Sequence, residues 1–200
     1  MESLLEKLTN KNQRKPGGTL VLYTTKHGAT QRYAQRIATP LDGLVKEAAY
    51  AKLEKAKTYD AIVIGCPVYM DKIKGLDFFA DHAKDLLDKR LVLFTCGIYD
   101  PQEESVRAQL DAQIREALGS AAEYVSVFHL RGSIRWQSLG LAERVLMKAL
   151  MADIKKKPEA GRMLIEQQLL EAEGGAIDFS DEADLAPIVH AARFGREAEI

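Results

Sequence analysis

Hydrophobic residues in this chain gather into short runs separated by polar, glycine-bearing stretches. TLVLYT (19–24), YDAIVIGC (59–66) and RLVLFTC (90–96) are nearly continuous apolar runs rich in β-branched and aromatic residues, the pattern of strands buried on both faces. EYVSVFHL (123–130) reads as a further strand, and LVKEAAYA (44–51) as a short second one. Between these runs the apolar period lengthens to that of helices. A helix is predicted from about Thr30 to Ala38, stopped by Pro40 and Gly43. Leu76, Phe79, Ala80, Ala83, Leu86 and Leu87 recur at helical spacing, and a polar amphipathic helix over 102–118 ends at Gly119. Strands alternating with helices predict an α/β fold, a doubly wound five-stranded parallel sheet with strand order 2-1-3-4-5. Sheets of this kind bind ligands at the carboxyl ends of their strands. Function is therefore sought just after residues 24, 66, 96 and 130.

Two segments fall outside that alternation. Residues 1–18 read as an N-terminal appendage: Leu4, Leu5 and Leu8 fit one face of a short helix, which Pro16-Gly17-Gly18 would end. Residues 19–200 then form the domain, with 133–178 as a helical insertion before a closing helix at 181–194. The insertion is expected to hold a helix over 139–157 and a second helical stretch over 159–173.

Composition narrows the function classes. The charges nearly cancel, at −1 from 28 basic and 29 acidic residues. Nucleic acid, which attracts a clearly basic surface, is not an expected partner. Nor does the chain carry the single-sign field by which many electron carriers steer to partners. Cys66 and Cys96 make no disulfide framework, and no CxxC or Cys/His cluster points to zinc or another metal. No apolar run reaches the roughly 18 residues of a transmembrane span, and the N-terminus lacks the apolar core of a signal peptide. A cytoplasmic protein is expected.

The loops at the strand ends carry the candidate chemistry. Thr24-Thr25-Lys26-His27-Gly28-Ala29-Thr30-Gln31 sets hydroxyls and a glycine at the start of a helix. Helix N-terminal N–H groups lack intrahelical partners and favour an anion, so the loop suits a phosphate. It is neither a GxxxxGK[ST] loop nor a GxGxxG loop. The plainer reading is a polar βα turn with Thr30 as the helix cap. Gly65-Cys66-Pro67-Val68-Tyr69-Met70 and Thr95-Cys96-Gly97-Ile98-Tyr99 both place small residues before a tyrosine at a strand end, which suits a wall against a flat heterocycle.

TTKHGAT resembles the phosphate loop of flavodoxins, and GCPVY and TCGIY resemble their two flavin-ring loops. The resemblance runs from about 19 to 132 and includes GGAIDFSDEADLAPIV (174–189). It implies non-covalent flavin mononucleotide (FMN) as cofactor. Thr25, Lys26, His27, Gly28, Ala29 and Thr30 would hold the phosphate. Pro67, Val68, Tyr69 and Met70, with Thr95, Cys96, Gly97, Ile98 and Tyr99, would flank the isoalloxazine. Lys26 and His27 stand where small hydroxyl residues are common in that family, and Ala29 where an asparagine is. RGSIRWQSLGLAERVLMKALMADIKKK (131–157) is similar to the insertion of menaquinone-dependent protoporphyrinogen dehydrogenases, which are flavodoxin-like enzymes of heme synthesis.

That similarity implies an oxidoreductase with a quinone or redox protein as electron partner. Arg131, Arg135 and Trp136 are then candidates to receive an acidic or planar substrate. A non-enzymatic electron carrier is the alternative. A phospho-receiver on the same scaffold needs strand-end carboxylates, where this chain has Gly65-Cys66. The helix over 139–157 is apolar around most of its circumference and requires cover, by packing or by a quinone, membrane interface or partner. Lys155-Lys156-Lys157 fits anionic headgroups or a solvated helix end. Cys66 and Cys96 are expected as small buried residues, and His82, His129 and His190 as structural ones.

Overall fold

Alternate residues of each central strand feed opposite layers, which is why those strands are apolar without a break. The computed structural model describes residues 17–195. The appendage expected at 1–18 lies outside the described residues, except for Gly17 and Gly18. Strands β1 (Thr19–Tyr23), β2 (Leu44–Glu47), β3 (Ala61–Tyr69), β5 (Arg90–Gly97) and β6 (Val125–Arg131) form a parallel sheet in the order β2-β1-β3-β5-β6. Counted as parallel strands alone, this is the expected order.

Leu20, Leu22, Ile62, Ile64, Leu91 and Leu93 pack on one face, under α3 (Asp77–His82) and α4 (Glu104–Leu118). Val21, Val63, Val92 and Phe94 pack on the other, under α1 (Ala29–Ala38) and α7 (Leu185–Phe194). Each such Leu or Ile, removed from water, contributes about 1.5–3 kcal/mol of transfer free energy. The core is therefore two slabs on one sheet, and the sheet's carboxyl ends emerge at a common edge.

Several boundaries depart from the sequence reading. The second strand stops at Glu47, and Ala48–Tyr50 turns as a short 3₁₀ helix leading to α2 (Leu53–Ala56). The helix read across 76–87 breaks after His82 into a 3₁₀ turn, Ala83–Leu86. Strand β3 runs on through Pro67, Val68 and Tyr69, read from sequence as loop, because Met70 and Asp71 take positive φ (49° and 57°) and fold β4 (Lys72–Ile73) back antiparallel on it.

The insertion holds α5 (Leu141–Lys156) and α6 (Leu164–Glu171), bounded by an antiparallel pair, β7 (Ser133–Arg135) and β8 (Ala176–Asp178), which the sequence reading missed. Its small core joins Trp136, Leu139, Met151, Ile154, Ile165 and Leu169, and Ile98 and Tyr99 of the main domain pack against it. Among the described residues no helix is long and apolar enough to cross a membrane.

Candidate functional site

The ends of β1, β3, β5 and β6, the last through Gly132, Ser133 and Ile134, converge with one helix of the insertion on a cavity of about 330 Å³. At the end of β1, the Thr24 N–H donates to the Gly65 carbonyl (2.9 Å), tying the loop to β3. Thr25 Oγ1 then accepts the Gly28 N–H at 2.9 Å. Gly28 has φ +85° at the N-cap of α1, a left-handed turn that glycine adopts without strain. Thr30 is not the cap expected on the plainer reading. It lies within the first turn of α1 and is 1% exposed, so its hydroxyl faces inward rather than back to the helix end. The first N–H groups of α1 have no side-chain cap, and Ala29 and Thr30 of that first turn line the cavity.

Of the residues singled out in sequence, Thr25, Lys26, His27, Ala29 and Thr30 line the cavity from the first loop. Pro67, Val68, Tyr69 and Met70 line it from the end of β3, and Cys96, Gly97, Ile98 and Tyr99 from the end of β5. Gly28 and Thr95 are not among the lining residues. Gly28 shapes the turn. Thr95 faces away, its hydroxyl 2.8 Å from His129 Nδ1, while His129 Nε2 lies 3.1 Å from Asp111 Oδ1. Both ring nitrogens of His129 are thus engaged, as a structural histidine requires. Burial pushes the Cys96 thiol up to about 12 and raises that of Cys66 as well. Neither cysteine is a thiolate at neutral pH.

Arg131, Arg135 and Trp136 do not line the cavity. The Arg131 guanidinium lies 3.6 Å above the Phe179 ring, donates to the Ile98 carbonyl (3.2 Å) and faces Asp100. Arg135 is exposed on β7, and Trp136 is buried in the core of the insertion. Arg131 thus ties Ile98 and Asp100 to Phe179, and none of the three is among the residues that line the cavity.

A further wall is made by Leu139, Glu143, Leu146, Met147 and Leu150; the sequence reading marked this helix as an apolar surface in need of cover but did not single out Glu143. Their spacing traces one stripe of α5 and the turn before it. The signal that marks it is a single acid within an otherwise apolar stripe. Glu143 Oε1 lies 2.7 Å from Lys26 Nζ and 3.2 Å from His27 Nε2, and Oε2 accepts the Gly140 N–H at 2.8 Å. The Lys26 ammonium against Oε1 draws the Glu143 carboxyl down to about 2, with the Gly140 N–H and the nearby His27 adding to it. Lys26 is raised in turn by Glu143, and its ammonium stands 3.4 Å over the Tyr69 ring.

A parallel doubly wound sheet with a glycine turn and apolar walls at its strand ends defines the open α/β class, whose members take ligands at that edge. Residues 20–160 match the model of the flavodoxin domain family, and the chain belongs to that family. No curated protein sequence matches the chain. Similar solved structures include oxidised flavodoxin 2 from Bacillus cereus, at 19% identity over 57% of this chain and 85% of that one, with a TM-score of 0.43. Two-electron reduced flavodoxin from Megasphaera elsdenii has 19% identity over 56% and 84%, with a TM-score of 0.43. The Trp repressor binding protein from Bacillus subtilis has 14% identity over 58% and 85%, with a TM-score of 0.39.

The donor set fits FMN at both of its ends. Backbone N–H groups of the α1 turn, the Thr25 hydroxyl, Lys26 and His27 suit a phosphate, while Tyr69, Ile98, Tyr99 and Met147 suit a flat ring. The volume lies at the lower end of ligand cavities, about 300–1,000 Å³.

Proposed function

We propose that the chain binds FMN in this cavity and works as a flavin-dependent oxidoreductase resembling the menaquinone-dependent protoporphyrinogen dehydrogenases. The redox chemistry itself is supplied by the flavin when bound. The β1–α1 turn would hold the phosphate, and Pro67–Met70 and Cys96–Tyr99 would orient and cover the ring. The observation that carries the reading from carrier to enzyme is the wall built by Leu146, Met147 and Leu150 of α5. A carrier needs only an accessible ring edge. An apolar wall contributed by a separate inserted element provides contact area for a planar, apolar reactant such as a quinone, and excludes water beside the ring.

The carrier reading draws on Met70, which is 63% exposed at the cavity rim and offers an adaptable apolar contact to a docking protein. One experiment separates the two. The FMN-loaded protein is given a protoporphyrinogen with a quinone as acceptor. Catalytic turnover supports the enzyme. Absence of turnover on both substrates, with fast electron exchange to a flavoprotein reductase, supports the carrier instead.

A further inference from the structure

We propose that Glu143 is an internal competitor for the phosphate-binding turn, so that α5 is latched to that turn by a carboxylate which FMN must displace. The inference rests on the FMN reading above and adds a specificity residue to it.

A phosphate held at the start of α1 needs the side-chain donors nearest that turn, the Lys26 ammonium and the His27 ring. Both are engaged by a single oxygen, Glu143 Oε1. The acid comes from the insertion, not from the sheet domain, and its side chain is only 13% exposed. It is held in place from behind by the Gly140 N–H on Oε2, and Lys26 is held from the side by the Tyr69 ring. A dianion arriving at this turn meets a lysine already neutralised and a like charge at contact distance. In a partly dry cavity, that repulsion is stronger than it is at the surface. Displacing Glu143 frees both side chains for the phosphate and removes the Glu143 contacts that tie this face of α5 to the turn. Leu146, Met147 and Leu150 ride on the same helix, so the apolar wall shifts when the latch opens.

The flavin without a phosphate provides the control, since riboflavin gains nothing from Lys26 or His27. Full-length wild type and Glu143→Gln are titrated with FMN and with riboflavin, following quenching of flavin fluorescence. Glutamine keeps a carbonyl oxygen for the Gly140 N–H, so the start of α5 is retained, and far-UV circular dichroism checks this. The expected result is FMN affinity at least about tenfold tighter in Glu143→Gln, with riboflavin affinity changed less than about twofold. In a Lys26→Met background the same substitution should yield a distinctly smaller gain.

Equal or weaker FMN binding by a folded Glu143→Gln would overturn the competition and make Glu143 a residue that positions Lys26. A parallel gain for riboflavin would also overturn it, since the effect would then not involve phosphate. If wild type and variant both fail to bind FMN, the reading of the site itself fails and the latch falls with it.

Discussion

Gly132 has no room for a side chain. A Cβ there would stand 2.7 Å from Cys96 Sγ, at the point where the chain leaves β6 beside the cavity. Gly132→Ala should destabilise the protein by about 1–3 kcal/mol through overpacking. The clash is with one sulfur, so Cys96→Ala in the same chain should recover much of that loss. Urea unfolding of the double-mutant cycle measures it, and additive costs would show that the obstruction lies elsewhere. Glu143 provides a second test at this scale. Its folded carboxyl sits at about 2 against an ordinary 4.5, so its stabilising contribution is complete above about pH 4.5 and is lost as pH falls toward 2. Lys26 is 44% exposed, so screening limits the contribution to less than about 1 kcal/mol. The stability gap between wild type and Glu143→Gln should accordingly be present at neutral pH and shrink as pH falls from about 4.5 toward 2.

The element on which the account turns is α5. Met151 and Ile154 face Ile165 and Leu169 of α6, while Leu146, Met147 and Leu150 face the cavity. Leu141 and Val145 remain 83% and 61% exposed. The wide apolar surface seen in sequence is thus divided between packing within the insertion and the wall of the cavity. Met151→Ala should loosen the insertion by about 2–5 kcal/mol of local stability while leaving the sheet intact. Hydrogen exchange would then rise across 141–171 and stay slow in β1, β3 and β5. A uniform rise through the sheet would mean that the insertion and the domain unfold as one unit.

The strands were legible in the sequence because burial on both faces demands uninterrupted apolar runs, as in Ile62–Ile64 and Leu91–Leu93. The first-loop and strand-end residues were legible because small, hydroxyl and aromatic types cluster after those runs. Glu143 was not, because its partners Lys26 and His27 are more than a hundred residues away along the chain. The β7–β8 pair was not, because three-residue strands leave no period to read. Pro67 and Tyr69 were placed in a loop because nothing local announces the positive φ at Met70 that lets β3 continue.

At the scale of the molecule, 28 basic residues against 29 acidic ones leave no long-range field to steer a partner. Electron exchange with a protein partner should therefore depend weakly on salt, changing less than about tenfold between low ionic strength and 0.15 M. A steep salt dependence in stopped-flow reduction would reveal a local charged face that the net charge conceals. The sheet, the turn at the start of α1 and the apolar wall of α5 all serve one claim, that this cavity holds a flavin by its phosphate and its ring. The most direct measurement is titration of the purified full-length protein with FMN, monitored by flavin fluorescence and visible absorbance. Saturable binding of one FMN per chain, lost when Tyr69 and Tyr99 are both changed to alanine, is the predicted result. A folded protein that leaves FMN fluorescence unchanged would contradict it.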